Sequence, residues 1–310
     1  MVAERITVGV YALDRVILPK PAAAKGWAAR LAETLPVLME GATPVGISLT
    51  EGPDGLVLAE DTPPSMEHRA GSAVAVEPVA GRPGLFLVRV GGKAAGLSSA
   101  RPWVPGSGPV LHGAALTDAL AAYVAGTRID TPDGPRPVET LVAGEVVTTL
   151  GNGSRPLRWV GRRRVEVVEL LAHPGLRPVA FGPGALGNAR ELVVSPQQRV
   201  LIDDWRAAVY FGEDRVLVAA QALVDDQAAR VVLPGGGVDY VMLLCDRHEV
   251  LLAEGTLSES FHPGEAGLAA LLPDDRARLA AVCPEPELLR RRAGFPIVRH
   301  AEARALRLHP

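Results

Sequence analysis

The stretch that decides the fold of the second half of the chain runs Gly126-Thr-Arg-Ile-Asp-Thr-Pro-Asp-Gly134 and resumes as Val138-Glu-Thr-Leu-Val-Ala-Gly-Glu-Val-Val-Thr148. It places short β-type runs between turn sequences such as Asp-Gly, which is the pattern of strands joined by tight turns. The next turn, Gly151-Asn-Gly153, contains an Asn-Gly pair that suits a type I′ hairpin. The stretch therefore predicts a series of short strands.

Similar strands and turns extend in both directions from this stretch. Downstream, apolar runs predict strands at 157–160, 191–194, 199–202, 230–233 and 240–244. After Phe261 the sequence changes to Ala, Leu and Arg at helical spacing, which predicts a short helical C-terminal tail.

The N-terminal third predicts a small β-rich domain, for which we expect a sandwich. Its β-type runs are 6–10, 46–50, 56–58, 73–76 and 85–90, and Pro- and Gly-rich turns separate them. One helix is predicted at 22–39, where apolar residues recur at spacings of three and four. A Pro- and Gly-rich segment beginning near Trp103 predicts a linker. The chain as a whole is therefore predicted to be mainly β.

The composition excludes several classes of protein. The 310 residues are 48% hydrophobic with a formal net charge of −3, which excludes a disordered chain and gives no positive field for nucleic acid. Apolar runs are shorter than the ~20 residues that a membrane span requires. The first residues lack a basic region followed by an apolar one. We therefore expect no nucleic-acid partner and no membrane span, in a protein that is cytoplasmic or exported without a classical N-terminal signal.

Neither the cysteines nor the histidines predict a metal or cofactor site. Cys245 and Cys283 are the two cysteines, too few for a disulfide framework or a Cys-rich metal motif. The histidines at 173, 248 and 262 lack the spacing of a zinc site. We expect no cofactor and no bound metal.

Several motifs, in their shared order, resemble bacterial Hint (hedgehog/intein) domains of the Hint_2 type. Besides the opening stretch they are Trp159-Val-Gly161, Leu192-Val-Val-Ser195-Pro-Gln-Gln-Arg-Val-Leu201, Asp246-Arg-His248-Glu and Ala253-Glu-Gly255-Thr-Leu-Ser-Glu-Ser-Phe261. The resemblance implies an all-β, horseshoe-like self-processing domain at 122–262. The N-terminal β-rich domain then occupies 1–105, a linker 106–121, and the helical tail 263–310.

The resemblance also implies which residues should do the chemistry. In this family a cysteine at the first position of the domain attacks the preceding carbonyl to form a thioester, and a histidine in a Thr/Ser-x-x-His motif protonates the departing nitrogen. Alignment of the motifs puts Ala122 at the cysteine position and Gln198 at the histidine position. A methyl group cannot form a thioester, and an amide does not titrate near neutral pH.

Four other residues could keep part of such a site. His248 is the surviving histidine; it is either a former proton-transfer group or a histidine that hydrogen-bonds within the fold, and we favour the second. Asp246 could orient His248, and Ser195 keeps the hydroxyl group of its motif. Thr127 lies near the lost nucleophile position and is an alternative nucleophile.

Two functions follow from these residues. The one we favour is a Hint-domain protein without self-processing or other enzymatic activity, which acts as a structural or interaction module for a protein partner of unknown identity. The alternative is an active self-cleaving protein that releases its N-terminal domain near Ala121-Ala122 by non-standard chemistry.

Overall fold

The structure is a computed structural model that describes residues 5–18, 30, 31, 34–60, 70–106, 109, 119–303 and 306. It is mainly β, as the sequence predicted. The chain forms two compact units: Met1–Leu116 with Val165–Pro174 and Pro234–Gly237, and Thr117–Arg164 with Gly175–Leu233 and Val238–Pro310. The first unit therefore includes two segments from later in the sequence.

The first unit is built on antiparallel strands. They are β1 Ile6–Ala12, β2 Val16–Ile17, β3 Val37–Leu38, β4 Val45–Gly52, β5 Gly55–Leu58, β6 Val74–Pro78, β7 Leu85–Val90 and β8 Lys93–Ser99, with a 3-10 helix at Leu13–Arg15. Six of them form one sheet in the order β5-β4-β1-β8-β7-β6, and β2 pairs with β3. The predicted strands of this region are confirmed.

This sheet curls on itself, in contrast to the expected two-layer sandwich. Strand β1 pairs with β4 through residues 6–10 and with β8 through residues 11–12, so it takes part in both halves of the sheet. Val57 of the end strand β5 forms a bridge with Ala73, the residue that precedes the other end strand, β6. Leu31, Leu38, Leu87 and Leu97 are among the buried core residues of this unit.

Helix α1, Val167–Ala172, completes the first unit, although it lies far along the chain. It packs against β1 and β6 and buries Leu170 completely. A capping box between Glu166 and Glu169 begins the helix, because each side chain accepts a hydrogen bond from the other residue's backbone N–H.

The predicted helix at 22–39 lies largely outside the described residues. Residues 30 and 31 are helical, whereas Val37–Leu38 form strand β3. The predicted C-terminal end of the helix is therefore wrong, because pairing with β2 holds this part of the chain extended.

The second unit contains a sheet of 13 strands. They are β9 Tyr123–Val124, β10 Arg128–Ile129, β11 Arg136–Pro137, β12 Val146–Thr149, β13 Gly153–Val165, β14 Val179–Phe181, β15 Leu192–Val194, β16 Arg199–Asp203, β17 Arg215–Ala219, β18 Ala229–Val231, β19 Val238–Cys245, β20 Val250–Ala253 and β21 Thr256–Glu259. The main path runs β17-β16-β21-β20-β12-β13-β19-β9-β15-β14-β18, and β10 joins β11 to β20. Every strand predicted in this region is present.

The hairpin between β12 and β13 is confirmed, but its turn is not type I′. Thr149 pairs with Gly153, so the loop contains the three residues between them. Positive φ values occur at Gly151 and Gly153, whereas a type I′ turn built on Asn152-Gly153 needs one at Asn152 as well.

Short helices lie between or after these strands in the sequence. They are α2 Trp205–Phe211, α3 Glu265–Ala269, α4 Pro273–Val282, α5 Glu285–Arg290 and α6 His300–Ala303, with 3-10 turns at Val138–Thr140, Pro174–Leu176 and Ala220–Leu223. The last four α-helices confirm the helical C-terminal region. None of the described helices is long and apolar enough to cross a membrane.

The C-terminal region also contributes a strand-like segment and core residues to the second unit. Ile297 forms a parallel bridge with Leu217 of β17. Val298, Ala303 and Leu306 belong to the same buried cluster as Tyr123 of β9. The region beyond Phe261 is therefore an integral part of the core.

Candidate functional site

The chain entering β9 is held in place by Ser195. The backbone N–H of Ala122 donates a 2.8 Å hydrogen bond to Ser195 Oγ, and that hydroxyl donates to Leu120 O at 2.7 Å. The N–H of Ser195 donates to Ala122 O at 2.9 Å. Because Tyr123 pairs with Val194, this arrangement continues the β9–β15 pairing by one residue. Ala122 and Ser195 are each only 1% exposed.

Ser195 binds the Ala121-Ala122 peptide in a geometry unsuited to attack. Its oxygen accepts from the Ala122 N–H and so lies near the plane of that peptide, whereas a nucleophile approaches a carbonyl carbon from one face of the plane. Its proton is donated to Leu120 O, an acceptor that is not a general base. The motif hydroxyl therefore orders the backbone beside Ala122.

The Gln198 side chain is hydrogen-bonded to β21. Its side-chain nitrogen donates to Glu259 O at 2.8 Å, while its backbone N–H donates to Ser195 O at 3.1 Å in the turn before β16. The Tyr123 hydroxyl donates to the same Glu259 oxygen at 2.8 Å and lies 2.7 Å from Ser258 Oγ. Burial raises the pKa of Tyr123, so this hydroxyl stays protonated. Both side chains thus fix the end of β21.

The Glu259 carboxylate lies at the centre of the site and is fully buried. Arg199 Nη1 donates to it at 3.0 Å, and the Arg199 backbone N–H at 3.2 Å. His248 Nε2 lies 3.1 Å from Oε2, the same carboxylate oxygen that accepts from Arg199 Nη1, and the His248 side chain is also fully buried. A buried carboxylate requires such partners, because burying an unpaired charge is costly.

The hydrogen bonds of His248 assign its tautomer. The Gly294 N–H donates to His248 Nδ1 at 3.1 Å, so Nδ1 is the acceptor and Nε2 carries the proton that Glu259 accepts. Both ring nitrogens are therefore occupied. The His262 ring stacks on His248 with centroids 4.3 Å apart. Burial lowers the pKa of His262 to about 4, which keeps it neutral near neutral pH.

The described polar contacts of the Asp246 and Thr127 side chains are with other residues. Asp246 pairs with Arg158 at 3.2 Å on the surface and makes no described contact with His248. Thr127 Oγ1 donates to Val193 O at 3.3 Å. Of the residues selected from the sequence, hydrogen bonds connect Ala122, Ser195 and Gln198, and Glu259 joins Gln198 to His248.

The cysteines do not offer a replacement thiolate. Burial raises the pKa of Cys245 to about 12 and also raises that of Cys283. Both thiols are therefore protonated at neutral pH and poorly nucleophilic. Arg291 lies between them and donates to Cys245 O and Cys283 Sγ. Within the part of the chain that the structure describes, no group of three or more His, Cys, Asp or Glu side chains could hold a metal ion.

Sequence reasoning missed Glu259 and its partner Arg199. Glu259 ends the strand Thr256–Glu259, whose sequence is Thr-Leu-Ser-Glu, so its polar neighbours gave no local signal of a buried, paired charge. His262 was considered only as a zinc ligand. Its stacking on His248 depends on two segments that are separated in the sequence, so no local pattern could have indicated it.

A family model and a solved structure are each similar to part of this chain. Residues 121–265 match the family model described as the Hint domain, which confirms the resemblance found in the sequence. The chain is similar to a bacterial intein-like domain from Clostridium thermocellum, solved in solution, at 14% identity and a TM-score of 0.32. That similarity covers 46% of this chain and 99% of the other. No curated protein matches the chain.

Proposed function

We propose that this chain, which contains a Hint domain related to self-processing domains, has lost self-processing and serves as a structural or interaction module. The proposal depends on one observation: the nucleophile position is a buried alanine, Ala122, and Ser195 hydrogen-bonds the backbone on both sides of the Ala121-Ala122 peptide bond. A cleavage site needs a nucleophile at this place and a proton donor for the departing nitrogen.

The hydrogen bonds around Ala122 support the proposal. The Ala122 nitrogen would be the leaving group of a cleavage at Ala121-Ala122. Its N–H donates to Ser195 Oγ, so a hydrogen-bond acceptor occupies the position where a general acid is required. Gln198, at the expected histidine position, donates its amide to Glu259 O. Neither group can supply a proton to the departing nitrogen.

The state of His248 supports it as well. A histidine can act as general acid only when it has a proton to give toward the reacting atom. The His248 proton points to Glu259, and its other nitrogen accepts from Gly294. The interpretation of His248 as a histidine that stabilises the fold is therefore the one its contacts favour.

Intact-mass spectrometry of the purified full-length protein tests the proposal. The protein is incubated at mildly alkaline pH with and without hydroxylamine or a strong thiol, which would open any ester or thioester. We expect a single species at the mass of the full chain, 32.5 kDa, in every condition. Two fragments divided near Ala121-Ala122 would overturn the proposal and direct attention to Thr127 and His248.

A restored site provides the positive control. The double variant Ala122→Cys/Gln198→His returns both missing groups, and Ala121→Cys/Gln198→His places the same thiol one residue away. If the fold still positions the chemistry, only the first variant forms a species that hydroxylamine cleaves. Cleavage of both variants would mean that any local thiol suffices, and the clamped geometry at Ala122 would then not be the deciding feature.

A further inference from the structure

Helix α2 presents its apolar side chains to solvent. Trp205 is 71% exposed, Val209 66% and Tyr210 56%, whereas Ala207 is fully buried. A surface helix normally turns its apolar face toward the core and its polar face toward water. Large apolar residues exposed together on one short helix indicate a surface that another molecule covers.

The helix is nevertheless held firmly at both ends. Asp204 caps its N-terminus by accepting a hydrogen bond from the Arg206 N–H at 2.8 Å. Gly212 ends it in the left-handed conformation, with its N–H donating to Ala208 O. Phe211 packs against the core. The exposed side is therefore presented by a defined element.

Trp205 also lines an acidic groove of about 570 Å³. We use this name for the groove formed by Asp203, Asp204, Trp205, Ala208, Glu213, Asp214, Arg215, Phe295 and Pro296. Its volume lies in the range of pockets that accept small ligands or single side chains. Because α2 supplies Trp205 to the groove, the apolar side of the helix and the groove form one continuous surface.

The charges of the groove are only partly balanced. Two of its acids pair with neighbouring arginines, Asp203 with Arg215 at 2.8 Å and Asp204 with Arg206 at 3.0 Å. Within the described residues, the carboxylates of Glu213 and Asp214 have no hydrogen-bond or ion-pair partner. They leave the groove net negative beside an exposed indole ring, and both features attract a cation.

We propose that α2 and the acidic groove bind a basic peptide segment of a partner protein. An arginine or lysine side chain would lie over the Trp205 ring and pair with Glu213 and Asp214. Aliphatic neighbours of that cation would cover Val209 and Tyr210. The proposal deepens the interaction role proposed above by giving it a surface and a chemical class of partner, and it rests on that role.

The negative charge of the groove favours a basic peptide over a second copy of the chain or a membrane surface. In a two-fold dimer through α2 the same surface would face itself, bringing Glu213 and Asp214 of both copies together at a cost from like charges. An anionic membrane surface would be repelled by the same carboxylates. A positively charged segment is the occupant that both the apolar and the acidic parts favour.

Binding is tested with three fluorescein-labelled peptides titrated against the full chain by anisotropy. The first alternates arginine and leucine, the second replaces arginine by glutamate, and the third replaces leucine by serine. We expect the first to bind best, the second not at all, and the first to weaken as salt is raised, because part of its attraction is electrostatic.

Two pairs of variants locate the binding surface. Val209→Ser removes an apolar contact, and Val231→Ser, a 49% exposed valine on β18, is its matched control. Glu213→Gln/Asp214→Asn neutralises the groove, and Glu265→Gln/Asp133→Asn neutralises exposed acids elsewhere. Each groove or helix variant should weaken binding on the order of tenfold, as loss of a central contact typically does, while the controls leave it unchanged.

Three outcomes would overturn the proposal. The first is that the arginine-leucine peptide does not bind. The second is that the peptide with glutamate in place of arginine binds equally well. The third is that the test variants and the control variants lose the same amount of affinity. A concentration-dependent dimer that Val209→Ser abolishes would instead assign the surface to a second copy of the chain. Intact mass is recorded on the same samples, so that cleavage, which contradicts the function proposed above, is distinguished from failure to bind.

Discussion

At the scale of single residues, Glu259 connects the groups that the sequence pattern treats separately. Its carbonyl oxygen accepts from Gln198 and Tyr123, and its carboxylate from Arg199 and His248. Glu259 is therefore hydrogen-bonded both to Gln198, at the expected position of the catalytic histidine, and to His248, the surviving histidine. In this arrangement their hydrogen-bonding capacity is used to stabilise the fold.

Replacement of this carboxylate should be costly for stability. Glu259→Gln leaves Arg199 and the His248 N–H without their buried anionic acceptor, and we expect a loss of about 3–5 kcal/mol in the free energy of unfolding. Glu191→Gln removes an exposed carboxylate that pairs with Arg230 at 2.7 Å and should cost less than about 1 kcal/mol. Urea denaturation of both variants measures the difference, and equal losses would contradict the central role of Glu259.

A local sequence motif contains some of these residues, whereas the partners of Glu259 are far apart in the sequence. Ser195 and Gln198 follow one strand within a few residues, so a short motif located both. The partners of Glu259 come from β9, from β16 and from the turn before β20, and only the folded sheet brings them together. Asp246 is close to His248 in sequence, yet the ion pair of its carboxylate is with Arg158.

At the scale of elements, β13 depends on a glycine for its packing. The Trp159 ring folds back over Gly161, and a Cβ added at Gly161 would lie 2.0 Å from a ring carbon. The same ring packs against Phe261, with centroids 5.6 Å apart. The Trp-Val-Gly motif therefore has a packing explanation that needs no catalytic role.

Gly161→Ala should consequently destabilise the second unit. The added methyl group displaces the Trp159 ring, and overpacking of this kind costs about 1–3 kcal/mol. Gly236→Ala is the control, since an added Cβ there meets nothing within 4 Å. Thermal unfolding followed by near-ultraviolet circular dichroism reports both stability and the Trp environment. An unchanged midpoint for Gly161→Ala would show that the ring has room to move.

Helices α1 and α2 were not predicted, and their sequences explain why. Each helix is shorter than two full turns, so the spacing of its apolar residues cannot distinguish a helix from a strand. In α2 the pattern is also inverted, because Trp205, Val209 and Tyr210 point to solvent. The longer strands with clear turns between them were predictable, since alternation and turn residues are local signals.

At the scale of the whole molecule, the first unit is not one continuous piece of chain. Helix α1 follows Ala122 in sequence, yet it packs on β1 and β6 of the first unit. Cleavage between Ala121 and Ala122 would therefore leave α1 on the C-terminal fragment. Release of the N-terminal fragment would therefore require α1 to separate from β1 and β6. This arrangement is consistent with the proposal that the function of the chain does not involve cleavage.

An engineered cut tests this consequence. A site for a specific protease is inserted between residues 109 and 119, and the cleaved protein is analysed by size-exclusion chromatography. The two fragments should co-elute without denaturant, because the first unit retains its sheet from one fragment and α1 from the other. In a matched protein, Leu170→Ser removes the fully buried leucine of α1 and should promote separation. Separation of the unsubstituted fragments under native conditions would show that α1 is dispensable to the first unit, and self-cleavage could then release that unit freely.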